Sequence, residues 1–562
     1  MAAHRGVGRY AKIVGMTDRR KLPIGIQTFA KIRGEGCYYV DKTPLIARLA
    51  EQGSFYFLSR PRRFGKSLLI DTIAEAFAGQ RALFEGGEAA VALGVDPAVA
   101  NRPRLFLAEH WDWSQRHPVV RLSFAGGRLE QRSDLERSIR RQLRDNAHRL
   151  GVALSDPDDV AGSFDELITR AAEAHGQQAV VLVDEYDKPI LDNLETPEVA
   201  RAMREGLRNL YSVIKGRDAD VRFAMLTGVS KFSKVSIFSG LNNLNDITLD
   251  DRYGTLCGYT EEDLDTVFAP EFEAAASEGQ PLDRAEVRRW YNGYAWGPTA
   301  VYNPFDVLLL LDKRQYRAHW FETGTPTFLV QWLQRKGFFT PRLEQLYADE
   351  ALLSAFDVDG IEPEAMLWQT GYLTIGQVLR DADYTAYELR LPNHEVRTAL
   401  NSALMAAWHP EGLHAAQPAL LLRRMLASGD AAALKAHFER LFASIPHDWY
   451  RANPIAQYEG YFASVCYSHL ASLGVEIIAE DVSNEGQCDL TVKHAGTAWV
   501  FEFKVVDGEQ GTGEALRQLQ AKDYAAKHRG APGVERVIEV GVEFSRTRRQ
   551  IVGWDVRQAD GR

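Results

Sequence analysis

Apolar and polar positions along the first half of the chain alternate in a way that predicts strands separated by helices. Short apolar runs predict strands at residues 55–58, 117–125, 179–184 and 221–230. Between the second and third runs, an arginine-rich stretch and residues 164–174 have helical spacing. Because strands that alternate with helices favour a parallel, doubly wound sheet, the first half predicts an α/β domain.

The segment that follows the first strand has the chemistry of a phosphate-binding loop. Gly65, Lys66 and Ser67 open a helix-patterned run, with Arg60 where the general motif has glycine. In such loops backbone N–H groups surround phosphate oxygens, the lysine reaches the β/γ-phosphates and the hydroxyl binds Mg²⁺. We therefore expect ATP and Mg²⁺ to bind here, at Arg62, Arg63, Phe64, Gly65, Lys66, Ser67 and Leu68.

Two other predicted strand ends carry side chains that such a site needs. Asp184 and Glu185 follow the third apolar run, at the edge where an α/β sheet places its ligand chemistry. We expect Asp184 to hold Mg²⁺ through water and Glu185 to polarise the attacking water, although acidic residues also end many strands that bind nothing. Thr227, at the end of the fourth run, either senses the γ-phosphate or simply ends a strand.

The pattern from residue 281 to 445 is rich in helices and predicts a helical lid and connector. Just before it, Thr260 and Asp263 have a spacing close to a capping box, which predicts a helix start. The aromatic segments 290–297 and 321–326 are typical of packing and turns. We expect a flexible lead at 1–20, a P-loop domain at 21–280, this connector, and a further domain at 446–562.

Residues 487–506 predict a hairpin of two strands around a short turn that contains Gly496. Period-two alternation places Glu502 and Lys504 on one face of the second strand, and Asp489 lies on the first. A carboxylate and an ammonium on so apolar a strand need partners, which Asp489 can supply. Upstream, Asn453 and Pro454 predict a helix start, and helical spacing places Glu459 on the buried side of that helix.

Composition and charge narrow the classes of function. The net charge is −10, so attraction of nucleic acid must come from local basic faces, and the arginine-rich run at 137–149 is typical of a solvated helix face. Four scattered cysteines argue against a zinc site or a disulfide framework and predict a cytoplasmic protein. Because the chain has neither a long apolar run nor an export signal, we expect no membrane partner.

Several long segments in order resemble the bacterial AAA-ATPase-like family, whose members commonly carry a C-terminal PD-(D/E)XK nuclease-like domain. The resemblance runs over about residues 20–330 and includes RPRRFGKS, VDEYDKP, LTGVSKFSKVSIFSGLNNL and WYNGYAWG. In that family an arginine-rich loop replaces the glycine-first form, so Arg60 matches the family. The resemblance implies the ATP and Mg²⁺ roles already argued for Lys66, Ser67, Asp184 and Glu185.

The C-terminal order of helix Glu, strand Asp, hairpin and strand Glu-x-Lys resembles the PD-(D/E)XK nuclease fold over about residues 445–550. The resemblance implies that Asp489 and Glu502 bind Mg²⁺ and that Glu459 completes the metal shell or holds its water. It also implies that Lys504 orients or activates water and stabilises developing phosphate charge. A simple ion-pair cluster is the rival interpretation. The resemblance also implies that three residues contact nucleic acid or support the metal: Gln518, Lys522 and Tyr524.

These observations favour an ATPase whose nucleotide state controls a Mg²⁺-dependent nuclease, acting on DNA in preference to RNA. The alternative is an ATP-dependent regulator whose C-terminal domain binds nucleic acid or protein without cutting. A purely structural nucleotide binder is a third reading, which Asp184 and Glu185 disfavour. The first reading allows a homo-oligomer, in which a neighbouring subunit lends an arginine.

Overall fold

The computed structural model describes residues 19–156, 158–231, 241, 243–322, 327–336, 338–353, 360–382, 384–408, 416–445 and 459–559. Among these residues we find no helix whose length and apolar character would let it traverse a lipid bilayer. The strands are β1 Phe55–Ser59, β2 Val119–Ser123, β3 Ala179–Asp184, β4 Val221–Gly228, β5 Asn245–Asp246, β6 Leu346–Asp349, β7 Thr374–Asp381, β8 Tyr384–Arg390, β9 Glu476–Ser483, β10 Gly486–His494, β11 Thr497–Val506, β12 Arg536–Ser545 and β13 Ile551–Ala559.

The α-helices of the described residues follow the same chain order. They are α1 Phe29–Gly34, α2 Thr43–Gln52, α3 Lys66–Phe77, α4 Gly87–Ala92, α5 Pro97–Ala100, α6 Arg132–Leu150, α7 Val160–His175, α8 Lys188–Leu191, α9 Pro197–Gly216, α10 Glu261–Thr266, α11 Ala269–Ser277, α12 Arg284–Tyr291, α13 Pro304–Lys313, α14 His319–Glu322, α15 Thr327–Lys336, α16 Glu350–Leu353, α17 Pro363–Thr370, α18 His394–Trp408, α19 Ala416–Ser428, α20 Ala431–Ala443, α21 Glu459–Ala471 and α22 Glu514–Lys522.

The first sheet is parallel and has the strand order β2-β3-β4-β1-β5. The predicted doubly wound α/β domain is therefore confirmed. β3 is buried along its whole length, as expected of a strand with helices on both faces. Because β4 lies between β1 and β3, the carboxyl ends of three neighbouring strands meet at one edge, beside the start of α3.

The connector is not purely helical, and in this respect the prediction for residues 281–445 was wrong. It contains an antiparallel sheet of order β6-β8-β7. The predicted helix start at Thr260 is confirmed: Thr260 and Asp263 form a complete capping box at the N-terminus of α10.

The C-terminal sheet is mixed, with the order β13-β12-β11-β10-β9 and one parallel pair, β11 with β12. The predicted hairpin is β10-β11, and its turn residues Ala495 and Gly496 both have positive φ, 47° and 78°. Both faces of β11 are buried: Trp499 and Phe501 join the main apolar core, whereas Val500 packs with Leu519. The main core runs without interruption from the first sheet through the connector to this sheet.

Candidate active sites

The loop between β1 and α3 has the geometry of a phosphate-binding loop. Gly65 precedes the first turn of α3 with φ 91°, a left-handed conformation that favours glycine. The first backbone N–H groups of α3 have no carbonyl partner within the helix and carry the positive end of its dipole. This helix start is therefore suited to an anion.

Arg60 is an internal anchor for the loop. It is fully buried, and its guanidinium donates to the carbonyl oxygens of Ser59, Thr248 and Tyr253 at 2.8, 3.0 and 3.2 Å. Its guanidinium carbon lies 4.3 Å from the ring centre of Trp296, a cation–π contact. The arginine that replaces the usual glycine thus connects the loop to residues 248–296 and does not point toward a ligand.

The side chains predicted to bind ATP and Mg²⁺ at the ends of three strands converge. The Lys66 ammonium is buried and donates to the carbonyl oxygens of Arg60 and Pro61 at 2.9 and 3.0 Å. Asp184 accepts from the Ser67 hydroxyl at 2.6 Å on one oxygen and from the Thr227 hydroxyl at 2.8 Å on the other. Burial lowers the pKa of Lys66, which Asp184 partly opposes.

Glu185 directly follows β3 and has a left-handed backbone, with φ 52°. A non-glycine residue in this region stores strain, and such residues cluster at functional sites. Burial raises the pKa of Glu185, and the Lys66 ammonium lowers it by a smaller amount. The carboxyl group is therefore suited to accept a proton or a water hydrogen bond nearer neutral pH than an exposed glutamate.

A cavity of about 870 Å³ lies against this loop. Of the predicted ATP-site residues, Arg62, Arg63, Gly65, Lys66, Ser67, Leu68 and Glu185 line it. The Phe64 ring does not: it is buried between Tyr294 and Trp296, with ring centres 4.7 and 5.2 Å away. The aromatic segment 290–297 is thus packing for the loop.

Apolar groups complete the cavity from three parts of the chain. Among them are Ile26 from the N-terminal segment, Leu191 beyond β3, and Phe305 and Trp320 from the connector. No local pattern in the sequence identifies these residues as a shared surface. Their arrangement offers a nucleotide an apolar wall next to the cationic loop.

Asp187 is a buried residue for which no role was predicted from the sequence. One of its oxygens accepts from the backbone N–H groups of Val229 and Ser230 at 3.0 and 2.6 Å. It therefore fixes the backbone just after Thr227. The signal was present, since Asp187 precedes the Lys-Pro pair that opens α8 and is the N-cap residue of that helix.

The second candidate centre lies where β10 and β11 meet. Asp489 is left out of the backbone pairing with β9 and β11, opposite Glu480, whose φ is 48°. Its carboxylate instead accepts the Phe503 N–H at 2.7 Å. This irregularity turns the Asp489 carboxylate toward the side chains of β11.

Glu502 and Lys504 lie side by side on β11, as the alternation predicts. The Lys504 ammonium is 3.2 Å from Glu502 and 3.4 Å from Glu459 on α21. Glu502 is 3% exposed, whereas Glu459 is 41% exposed, so the prediction of a buried Glu459 was wrong: the carboxylate lies at the rim. Asn453 and Pro454 lie outside the described residues.

The carboxylates of Asp489 and Glu502 are half-buried and buried, respectively, and they repel each other. Burial raises the pKa of Glu502 to about 7, and the nearby Asp489 adds to the effect. Burial likewise raises the pKa of Asp489 to about 6, against the Phe503 N–H that lowers it. Burial lowers the pKa of Lys504, but the surrounding carboxylates outweigh burial and raise it overall.

The helix α22 supports Glu502 from the side. The Gln518 amide donates to one Glu502 oxygen, and the buried Tyr524 ring lies close by. Lys522 is exposed at the end of α22. The carboxylate of Glu543 on β12 accepts backbone N–H groups from Gly513, Glu514 and Ala515, and so fixes the start of this helix.

The donor groups of both centres fit Mg²⁺, which prefers oxygen ligands. At the loop, the Ser67 hydroxyl and the Asp184 carboxylate provide them. At the C-terminal centre, one Glu502 oxygen is buried without a hydrogen-bond partner, beside Asp489. In the described part of the chain, however, no three His, Cys, Asp or Glu side chains are grouped closely enough to form a ready cation site.

Two family models match the chain. One, described as "Predicted AAA-ATPase", matches residues 23–238, and the other, described as "PD-(D/E)XK nuclease superfamily", matches residues 457–554. The first match contains the loop, β3 and β4, and the second contains Glu459, Asp489, Glu502 and Lys504. The two candidate centres thus lie in the two matched regions.

The chain is 55% identical over 540 residues to a protein of Azotobacter chroococcum mcd 1 described as "Uncharacterized protein in vnfD 5'region", covering 96% of this chain and 99% of that protein. Among solved structures, the Aeropyrum pernix Orc1 protein in complex with DNA is similar at a TM-score of 0.21 and 15% identity, over 66% of this chain and 96% of that chain.

Proposed function

We propose a function for this chain, which belongs to the AAA-ATPase-like family and carries a C-terminal PD-(D/E)XK nuclease superfamily domain. It binds and hydrolyses ATP at the β1–α3 loop, and its nucleotide state controls a Mg²⁺-dependent nuclease centre around Glu502. The observation that carries this proposal is the Asp184 carboxylate, which joins Ser67 in the first turn of α3 to Thr227 of β4 at the carboxyl ends of β3 and β4.

In the first centre, each side chain has a defined task. Lys66, held by loop carbonyls, donates to phosphate oxygens, and the exposed Arg62 and Arg63 add positive charge at the cavity. Mg²⁺, when bound by Ser67 and Asp184, neutralises phosphate charge. Glu185 orients the attacking water, and Thr227 senses the γ-phosphate through its contact with Asp184.

In the second centre, Asp489 and Glu502 hold Mg²⁺, with Glu459 at the rim. The metal supplies Lewis-acid stabilisation of the phosphate being cleaved. Lys504 orients the attacking water and stabilises the developing negative charge, and Gln518 and Tyr524 keep Glu502 in place. The exposed Lys522 contacts the nucleic-acid backbone, DNA in preference to RNA.

Two observations favour the alternative function, an ATP-dependent regulator whose C-terminal domain binds nucleic acid or protein without cutting nucleic acid. Glu459 is half exposed and paired with Lys504, and no ready three-ligand cation site is present in the described residues. A protein of this kind would still bind and turn over ATP. The cleavage assay below separates the two candidates.

The test measures phosphate release and nucleic-acid cleavage on the same full-length preparations. Lys66→Ala should abolish ATP turnover, whereas Lys435→Ala, at a partly exposed lysine of α20, should retain it. Glu502→Gln should abolish Mg²⁺-dependent cleavage and leave turnover intact. Glu539→Gln is the matched control, since Glu539 is a buried glutamate of the adjacent strand β12.

Each arm has an outcome that contradicts it. ATP turnover at the wild-type rate in Lys66→Ala would remove the ATPase assignment. Cleavage that persists in Glu502→Gln would remove the nuclease assignment. Turnover without cleavage of any DNA or RNA would establish the regulator instead.

A further inference from the structure

The nucleotide loop is directly hydrogen-bonded to the connector. The Trp320 indole of α14 donates to the Arg62 carbonyl oxygen at 3.0 Å. The backbone N–H groups of Trp320 and Phe321 in turn donate to one oxygen of Glu395, at 2.8 and 3.3 Å. Glu395 is fully buried in the first turn of α18, so the start of α18 is linked to the loop through Trp320.

A second polar junction joins α18 to α21, along which it packs. The Glu344 carboxylate accepts from Arg397 on α18 at 2.7 Å and from the Tyr467 hydroxyl on α21 at 2.6 Å. Tyr467 is fully buried, and Glu344 is 16% exposed. Glu344 is thus a bridge with one partner on each helix.

The far end of α21 reaches the nuclease-like centre. Glu459, in its first turn, is 3.4 Å from Lys504. Tyr467 and Glu459 are separated by two turns of one helix, about 12 Å of rise. A displacement of α21 at Tyr467 therefore moves the Glu459 carboxylate relative to Lys504.

We propose that Trp320, Glu395, Arg397, Glu344, Tyr467 and Glu459 form a relay that passes the nucleotide state of the loop to the Lys504 centre. This inference rests on the proposed function and specifies how the control is exerted. When phosphates draw the loop toward α3, Trp320 follows the Arg62 carbonyl, α18 moves with it, and the Glu344 bridge carries α21 along.

The Glu344 bridge is suited to transmit motion between α18 and α21 because its contacts are polar. Apolar packing alone would hold α18 against α21 at least as firmly as a buried ionised group, whose desolvation is costly. Directional hydrogen bonds fix the register between the two helices, so that they move together instead of sliding past each other. Burial raises the pKa of Glu344, and Arg397 and Tyr467 oppose that rise.

The relay predicts variants that separate the two centres without damaging either. Tyr467→Phe removes only the hydroxyl, whereas Glu344→Gln removes the charge and also replaces one of the two acceptor oxygens with an amide donor, so that one of the two hydrogen bonds is lost. Both should keep ATP turnover and Mg²⁺-dependent cleavage, while the change of cleavage rate caused by ATP shrinks by about fivefold, a size typical of coupling residues remote from both ligands. Tyr56→Phe is the matched control, since its buried hydroxyl donates to the Leu49 carbonyl at 2.9 Å outside the relay.

Amide hydrogen exchange supplies a readout that does not depend on cleavage. Adding ATP and Mg²⁺ to the wild type and to Tyr56→Phe should alter exchange in residues 459–471, and Tyr467→Phe should lose this response while still binding ATP. An unchanged response in both Tyr467→Phe and Glu344→Gln would overturn the relay, as would ATP binding to the wild type with no response in α21. A wild type that binds no ATP would instead overturn the proposed function.

Discussion

Both candidate centres lie on a β-sheet, but the first has an excess of positive charge and the second an excess of negative charge. At the β1–α3 loop, the cations Arg62, Arg63 and Lys66 face the carboxylates Asp184 and Glu185, and the helix dipole adds positive potential. The hydrogen-bonding oxygens of Asp184 are both satisfied by hydroxyls. The three cations at the cavity make this centre suited to a polyanion.

The centre on β11 has the reverse character. Glu459, Asp489 and Glu502 surround the single ammonium of Lys504, and one buried Glu502 oxygen has no hydrogen-bond partner. Burial is the main cause of the raised pKa values of Asp489 and Glu502, and the neighbouring carboxylates add to the rise. The first centre is therefore suited to bind phosphate. In the second centre, a bound cation would neutralise the excess negative charge of the carboxylates at neutral pH.

The largest expected effect is on the free energy of unfolding and comes from replacing Arg60, which anchors the loop of the first centre. Arg60→Gly, which restores the general motif, should lower the free energy of unfolding by about 3 kcal/mol or more, because three buried carbonyls lose their donor. Chemical denaturation of the full chain measures it. Arg63→Gly is the control: Arg63 is exposed with φ 68°, so the change should stay within about 1 kcal/mol. Equal losses of unfolding free energy in Arg60→Gly and Arg63→Gly would show that the buried Arg60 anchor holds the loop no more firmly than the exposed Arg63 does.

A change of intermediate size should have opposite signs at the two centres. Asp184→Asn removes a charged acceptor from Ser67 and Thr227, and should destabilise the fold by about 1–2 kcal/mol. Glu502→Gln relieves buried repulsion and should stabilise the protein by about 1 kcal/mol at pH 8 without divalent ions. Urea unfolding in a chelator measures both, and a loss of stability in both variants would contradict the comparison.

The pH dependence of the Glu502→Gln effect follows from the direction in which the pKa of Glu502 is shifted. Glu502 has a folded pKa of about 7, above its ordinary value of 4.5, so the folded state holds the proton longer than the unfolded state. Its contribution to stability is therefore present below pH 4.5 and is lost as the pH rises toward 7. Between those values the wild type should lose stability more steeply than Glu502→Gln, whose advantage should be greatest above pH 7.

The smallest predicted effect concerns the exposed surface next to the second centre. Lys522→Ala should weaken nucleic-acid binding evenly across sequences and reduce the salt slope by about 1, because one phosphate contact is lost. Stability should not change, since Lys522 is exposed. Salt titration of binding, with Lys435→Ala as control, measures the effect. An unchanged salt slope would remove Lys522 from the binding surface.

Local pattern was sufficient for much of the fold. The buried runs of the first sheet and the β10-β11 hairpin could be predicted because period-two alternation and turn residues are encoded within a few positions. The sheet of β6, β7 and β8 was missed. β7 is largely exposed, so it lacks the apolar run that marks a buried strand. β6 pairs with β8, which lies about forty residues further along the chain, so no local pattern indicates the pairing.

The candidate sites divide in the same way. Lys66, Ser67, Asp184 and Glu502 could be proposed from motifs, since their chemistry is carried by neighbouring residues. The role of Arg60 could not, because its carbonyl partners include Thr248 and Tyr253, which lie almost two hundred residues away. Nor could the Trp320 contact with the loop, which is created by tertiary packing alone.

The packing around the β1–α3 loop also bears on how the protein can be divided. Phe64 is enclosed by Tyr294 and Trp296, and a Cβ at Gly371 would lie 2.6 Å from Pro61, so the loop is in close contact with residues far beyond the first family match, which ends at 238. A fragment cut at that boundary would expose the Phe64 ring and leave the Arg60 guanidinium without its stacking partner. Expression trials of an isolated ATPase unit should therefore extend past residue 371, and mutational scans of the connector should recover loss of ATP binding from positions that touch no nucleotide.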